Sequence, residues 1–238
     1  MNLVMFDVDG TLTATTAVDH LCYVQAVTEA LGIRNFDTNW TQYRNVTDQG
    51  CLEEIILTHA RRQVKSQEIS DVLKRFISLL RKQAKSAPDL FQPVPGAKDM
   101  LRALERKPDV AVALGTGAWR ESAEFKLSIA GLNTSHIPIA TSDDEVSRER
   151  IMMLAEGRAR ERYQVGTFET KVYVGDGVWD FRAARELGYE FIGVAGDERA
   201  ADLREAGAVR IVPEFSDDGG FLRHLEAIWN AQPDTPAL

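Results

Sequence analysis

Short apolar runs and helical patterns alternate along this chain. Residues 3–6, 110–114, 137–140, 172–174, 191–194 and 209–212 are near-continuous apolar runs, the signature of strands buried on both faces. From Val110 onward each run is followed by a helical pattern or by a turn leading to one. The pattern predicts a Rossmann-like α/β fold, a parallel sheet covered by helices on both sides.

The first two runs are separated by about a hundred residues, where a simple crossover takes roughly thirty. The intervening sequence is helical. Residues 17–31 carry Leu21, Val24, Val27 and Leu31 near helical spacing and stop at Gly32. Residues 51–60 and 69–80 repeat the pattern, and Pro88, Pro93, Pro95 and Gly96 punctuate the return. A helix over 96–104 is assigned to the core. Residues 14–92 are therefore expected to form a helical insertion placed directly after the first strand, with 1–13 and 93–238 forming the core. The closing AQPDTPAL is expected to fray.

Composition narrows the function classes. The 238 residues are 44% hydrophobic and 27% charged, with a net charge of −8, ordinary for a globular domain. No apolar stretch is long enough to span a bilayer. The start, MNLVMFDVDG, lacks the basic segment of a signal peptide. Cys22 and Cys51 read as two free thiols, so a cytoplasmic setting is expected. The acidic balance argues against bulk nucleic-acid binding, which needs a basic face, and leaves a local anion site open. No pattern in the chain specifies an oligomer.

The chemistry begins at LVMFDVDGTLT. Strand side chains two apart point the same way, so Asp7 and Asp9 converge at a carboxyl strand end, with Gly10 turning the chain. Open α/β sheets bind ligands at such ends. Two adjacent carboxylates call for a compensating cation, and a hard divalent ion such as Mg²⁺ takes oxygen ligands. Asp-Gly alone is an ordinary turn. The full Asp-x-Asp-Gly-Thr string arises by chance in a chain this long only a few times in a thousand, on the order of its composition.

This string resembles the first motif of the haloacid dehalogenase-like hydrolase superfamily. The resemblance implies that Asp7 is a nucleophile forming an aspartyl-phosphate and that Asp9 is the general acid and base. Thr116, between Gly115 and Gly117 after the second run, matches the second motif, which binds the phosphoryl group. Its hydroxyl and nearby backbone N–H groups would make an anion site, Gly117 among them. Gly10 is taken with Gly117 as substrate-binding. Asp176 and Asp180, in GDGVWD, match the fourth motif, which implies that Asp176 completes a Mg²⁺ site with Asp7 and the backbone carbonyl of Asp9, and that Asp180 is a second ligand or orients the metal's waters. The third motif asks for a Lys or Arg near the helix between the third and fourth strands. Arg148 falls on the face of Ile151, Met152, Ala155 and Ala159, whereas Arg150 points about 200° away at 100° per residue. Arg148 is the choice, with Arg150 and Lys171 as alternatives.

The insertion resembles the helical cap of the phosphoglycolate phosphatase-like and β-phosphoglucomutase-like branch, which implies a cap of four or five helices. Thr47 and Asp48 sit where such relatives carry a substrate-specificity loop, or simply cap the next helix. Asp19, His20, Trp119 and Arg120 are weaker pocket candidates. The implied activity is Mg²⁺-dependent hydrolysis of a small phosphorylated metabolite. A phosphomutase and a non-catalytic binding module are the alternatives. Dehalogenation is disfavoured because Asp9 is present. Phosphonate hydrolysis is disfavoured because Lys65, Lys74, Lys82 and Lys85 lie away from the cap loops expected to face the core.

Overall fold

The computed structural model describes residues 1–216 and 220–231, apart from the side chain of Asp197. Six parallel strands form one sheet in the order β3-β2-β1-β4-β5-β6. They are β1 Asn2–Phe6, β2 Val110–Gly115, β3 Ile139–Ala140, β4 Lys171–Gly175, β5 Glu190–Val194 and β6 Ile211–Val212. The two edge strands are shorter than their apolar runs, 137–140 and 209–212. Only two residues of each pair with a neighbour, and Val209 is exposed.

Alternation along the strands sorts the core into two layers. Val4, Phe6, Val112, Leu114 and Val174 face α4 Ala97–Glu105, α5 Arg120–Ile129 and α9 Phe221–Asn230. Leu3, Met5, Ala113 and Tyr173 face α6 Arg148–Tyr163, α7 Val178–Glu186 and α8 Asp197–Ala206. Burial on both faces is why these strands read as unbroken apolar runs. Strand β1 lies between β2 and β4, where the chain order reverses. A crevice opens at the carboxyl strand ends beside such a reversal.

The insertion contains α1 Thr16–Leu31, α2 Asp48–Ala60 and α3 Ser66–Ser86. The remaining helical pieces are single 3₁₀ turns, Trp40–Gln42 and Pro88–Phe91. Three α-helices thus stand where four or five were expected, because the polar stretch between α1 and α2 winds only one turn. These helices share their own apolar cluster, including Val27, Leu52, Ile55, Phe76 and Leu80, and Trp119 and Phe125 of the core pack into it. The chain leaves and re-enters the core side by side, with the Ala14 amide donating to Gln92 O at 2.8 Å and the Val94 amide to Leu12 O at 3.0 Å. All but the first residue of AQPDTPAL lies outside the described residues.

Candidate active site

Three carboxylates meet at the strand ends. Asp7 follows β1, Asp176 follows β4, and Asp180 sits in the first turn of α7, where its Oδ2 accepts the Gly177 amide at 3.0 Å. One oxygen of each lies within 4.8 Å of the others, and all three residues are buried. Burial pushes Asp7 and Asp176 up from the ordinary carboxylate range, Arg148 and Arg199 opposing it respectively. Burial likewise pushes Asp180 up to about 7. Asp7 is 4% exposed, and its Oδ1 has no hydrogen-bond partner. An orphaned buried oxygen in an all-oxygen cluster fits a hard divalent cation. Gly10 makes room for the cluster. Its φ is +75°, and a Cβ there would fall 1.9 Å from Asp176 Oδ2. It was expected at the substrate, but it packs against Asp176 and is not part of the cavity wall.

The basic partner of the cluster is Arg148. It is the first residue of α6, after Ser147, whose hydroxyl caps the helix. Its guanidinium lies 2.8 Å from Asp180 and 3.5 Å from Asp7, and it donates to Val46 O at 2.9 Å. The carboxylates outweigh the cost of burial and raise its pKa well above the ordinary value. Arg150 is 70% exposed beside Glu145, and Lys171 pairs with Glu156, so neither alternative reaches the cluster. Gly117 is bare for a reason: a Cβ would lie 2.4 Å from Arg148 Nη2. Thr116 is buried and lines the cavity together with Asp7. The expected ring of free amides is smaller than the sequence suggests. The Thr116 amide donates to Ala140 O and the Ala118 amide to Thr116 Oγ1, and α5 begins only at Arg120.

A cavity of about 300 Å³ lies over these groups, walled on the far side by the insertion. Segment 45–50 docks on the core. The Asp48 amide donates to Gly117 O at 2.8 Å, the Gln49 amide to Ser142 Oγ at 2.9 Å, and Asp48 Oδ2 accepts the Trp119 amide at 2.8 Å. Thr47 caps α2 through the Gly50 amide and donates its hydroxyl to Val146 O. It lines the cavity with that hydroxyl already committed, which favours the capping reading over direct substrate binding. His20 accepts the Trp40 indole N–H on Nδ1 at 3.0 Å. Trp119 stacks into the cap cluster near Tyr23 and Phe76, and Arg120 pairs with Asp144, so neither lines the cavity.

Two groups escaped the sequence reading. Lys126 on α5 is fully buried and places Nζ 2.5 Å from both Asp9 Oδ2 and Asp19 Oδ1. The Thr15 hydroxyl donates to Asp9 Oδ1 at 2.6 Å, so both Asp9 oxygens are held. The carboxylate of Asp9 accordingly stands outside the three-carboxylate cluster. Burial alone would lower the Lys126 pKa, but Asp19, Asp9 and Asp48 overcome it and raise it. Burial, reinforced by Asp9, pushes Asp19 up to about 7, and burial with Asp19 raises Asp48 well above its ordinary value. A trace was available: Ser122, Ala123, Lys126 and Leu127 form one helical stripe, all buried. The other group, Arg199 of α8, ion-pairs with Asp176 at the cavity mouth. No local pattern announces it.

With this geometry the class is defined. A family model described as haloacid dehalogenase-like hydrolase matches residues 1–188. The chain belongs to that family. Solved structures share the fold. A hydrolase from Pseudomonas syringae is 19% identical, covers 96% of this chain and 99% of its own, and superposes at TM-score 0.70. A family IA, variant 3 hydrolase of the same family from Entamoeba histolytica is 15% identical over 97% and 100%, at 0.70. A protein titled a predicted phosphoglycolate phosphatase from Haemophilus somnus is 15% identical over 94% and 97%, at 0.61. A search of curated proteins finds no match. No described helix is long and apolar enough to cross a membrane.

Proposed function

We propose that the protein is a Mg²⁺-dependent phosphatase of a small phosphate monoester, working through an aspartyl-phosphate on Asp7. The observation that carries this reading is the meeting of Asp7, Asp176 and Asp180 within 4.8 Å, with Asp7 and Asp176 lining a cavity of about 300 Å³ that Arg148 and Thr116 also line. The core, 1–13 and 93–238, would carry the chemistry and the insertion, 14–92, the selectivity.

Asp7, Asp176, Asp180 and the Asp9 backbone carbonyl would hold the cation. When bound, Mg²⁺ supplies charge neutralisation that lets an anionic nucleophile meet an anionic ester. Asp7 attacks phosphorus in line, its carboxylate oxygen forming the new P–O bond while the ester P–O bond breaks. Arg148 and the Thr116 hydroxyl stabilise the equatorial oxygens, where charge accumulates. Asp9, held at the cavity edge by Thr15 and Lys126, passes a proton to the departing alkoxide. It then takes one from the water that releases phosphate. The docked segment 45–50 keeps bulk water from the intermediate.

The test is phosphate release from a panel of monoesters with Mg²⁺ or with chelator, for the wild type and Asp7→Asn. Metal-dependent turnover that vanishes in the folded variant is expected. Turnover by Asp7→Asn at the wild-type rate would rule the nucleophile out. Phosphate trapped on Asp7 without net release would point instead to a phosphomutase.

A further inference from the structure

Building on the phosphatase reading, we infer that the substrate's leaving group carries a positive charge: the ester is a compact alkylammonium phosphate, not a phosphorylated acid or a bisphosphate. The cavity is a ligand site on independent grounds, since Asp7 is nine-tenths buried and presents an unpartnered oxygen there. What sets the leaving group is the charge on the cap side. Asp19 and Asp48 of the insertion line the cavity there, with Asp9 of the core beside them. One ammonium, Lys126, answers them, and it lies wholly buried behind them, away from any ligand.

The other basic groups at the cavity belong to the core side, where the phosphate and its cation would sit. Arg148 is held by Asp7 and Asp180, and Arg199 by Asp176. Counted as groups, carboxyls outnumber cations there by two, and burial holds Asp19 and Asp48 toward their neutral forms until a cation answers them. A second anion on the leaving group would meet carboxyls there and one cation already shared among them. An ammonium completes the balance. Asp48 spends Oδ2 on the Trp119 amide and leaves its other oxygen for a ligand.

The rest of the wall suits the same ligand. Tyr23 and Trp40 line it with ring centroids 5.6 Å apart. Aromatic faces beside carboxylates are the chemistry that holds alkylammonium groups. His20 adds no positive charge. Its Nδ1 accepts the Trp40 N–H, which leaves the proton of a neutral ring on Nε2.

Three probes of similar size and different charge test this: O-phosphoethanolamine, propyl phosphate and phosphoglycolate. Binding is measured calorimetrically to the Mg²⁺-loaded Asp7→Asn protein, and turnover is measured separately on the wild type. O-Phosphoethanolamine is expected to bind about tenfold tighter than propyl phosphate, and phosphoglycolate more weakly than either. Asp48→Asn keeps an acceptor for the Trp119 amide and should cut the ammonium preference to within about threefold. Asp19→Asn should move the same ratio in the same direction and serves if Asp48→Asn misfolds. Phosphoglycolate binding as tightly as propyl phosphate overturns the proposal. So does an ammonium preference that both variants leave intact, or no measurable binding of O-phosphoethanolamine. Absence of turnover with the binding order intact overturns the phosphatase reading alone.

Discussion

Lys126→Met removes a buried charge and keeps most of its volume. Methionine replaces the lysine stem almost isosterically, so the loss is electrostatic rather than a cavity. The wild-type ammonium sits 2.5 Å from Asp9 and 2.5 Å from Asp19, each 18% exposed at the side chain. Removing one partner of a buried ion pair costs about 3–5 kcal/mol, because the remaining charge is stranded. At about 2–4 °C per kcal/mol for a chain of this size, the melting temperature should fall by about 6–20 °C. The stranded group can be relieved. In Lys126→Met/Asp19→Asn only Asp9 is left, still bonded by Thr15, so the double variant should recover about 1–2 kcal/mol. Urea titration of wild type, both singles and the double gives the coupling directly. A loss below about 1 kcal/mol for Lys126→Met, or strictly additive singles, would refute the bridge between α5 and the cap.

Three further outcomes follow from the same geometry. Gly10→Ala places a methyl where Asp176 Oδ2 lies and forces a φ of +75° on a residue with a Cβ; Mg²⁺-dependent activity and Mg²⁺-induced thermal stabilisation should both disappear. Arg148→Lys cannot reproduce contacts to Asp180, Asp7 and Val46 O together, so kcat/KM should fall about 10–100-fold while Arg150→Ala stays within about twofold. In chelator the protein should become more stable as pH falls from 8 to 5, seen as a rising melting temperature. Burial pushes Asp19 and Asp180 up to about 7 in the folded protein, far above the ordinary aspartate value of about 3.9, so the folded state binds the extra protons and stability declines as pH climbs through 7. Glu68 and Asp144, held down near 2, act in the opposite sense but only below about pH 4.5. Saturating Mg²⁺ competes with those protons and should flatten the curve. A melting temperature in chelator that is level or falls towards pH 5 would contradict the raised carboxylates.

The parts of this protein legible in its sequence are those where local pattern and tertiary environment coincide. β1, β2, β4 and β5 are buried on both faces, so their apolar runs are unbroken. The edge strands β3 and β6 pair through two residues each, and an apolar run does not reveal where pairing stops. Asp7, Thr116 and Asp176 each follow a strand directly, so the strand reading alone places them at one end of the sheet. Arg148 was legible for a different reason: helical phase put it on the buried face, while Arg150 faces solvent.

The cap side was not legible because its groups meet across long separations in sequence. Asp19, Asp48 and Lys126 come from α1, α2 and α5, on two sides of the chain crossing. Asp19 and Asp48 can each be named as pocket candidates, but no local pattern joins them to Lys126. Helical phase puts Lys126 on the buried stripe of α5, and only packing reveals the two carboxylates it meets there. The same logic makes the cap informative about the substrate. A phosphatase core is obliged to be positive where phosphate sits, whatever ester it cleaves. Its cap is free of that obligation, so a surplus of carboxylates retained there at a cost in desolvation records what the leaving group must bring.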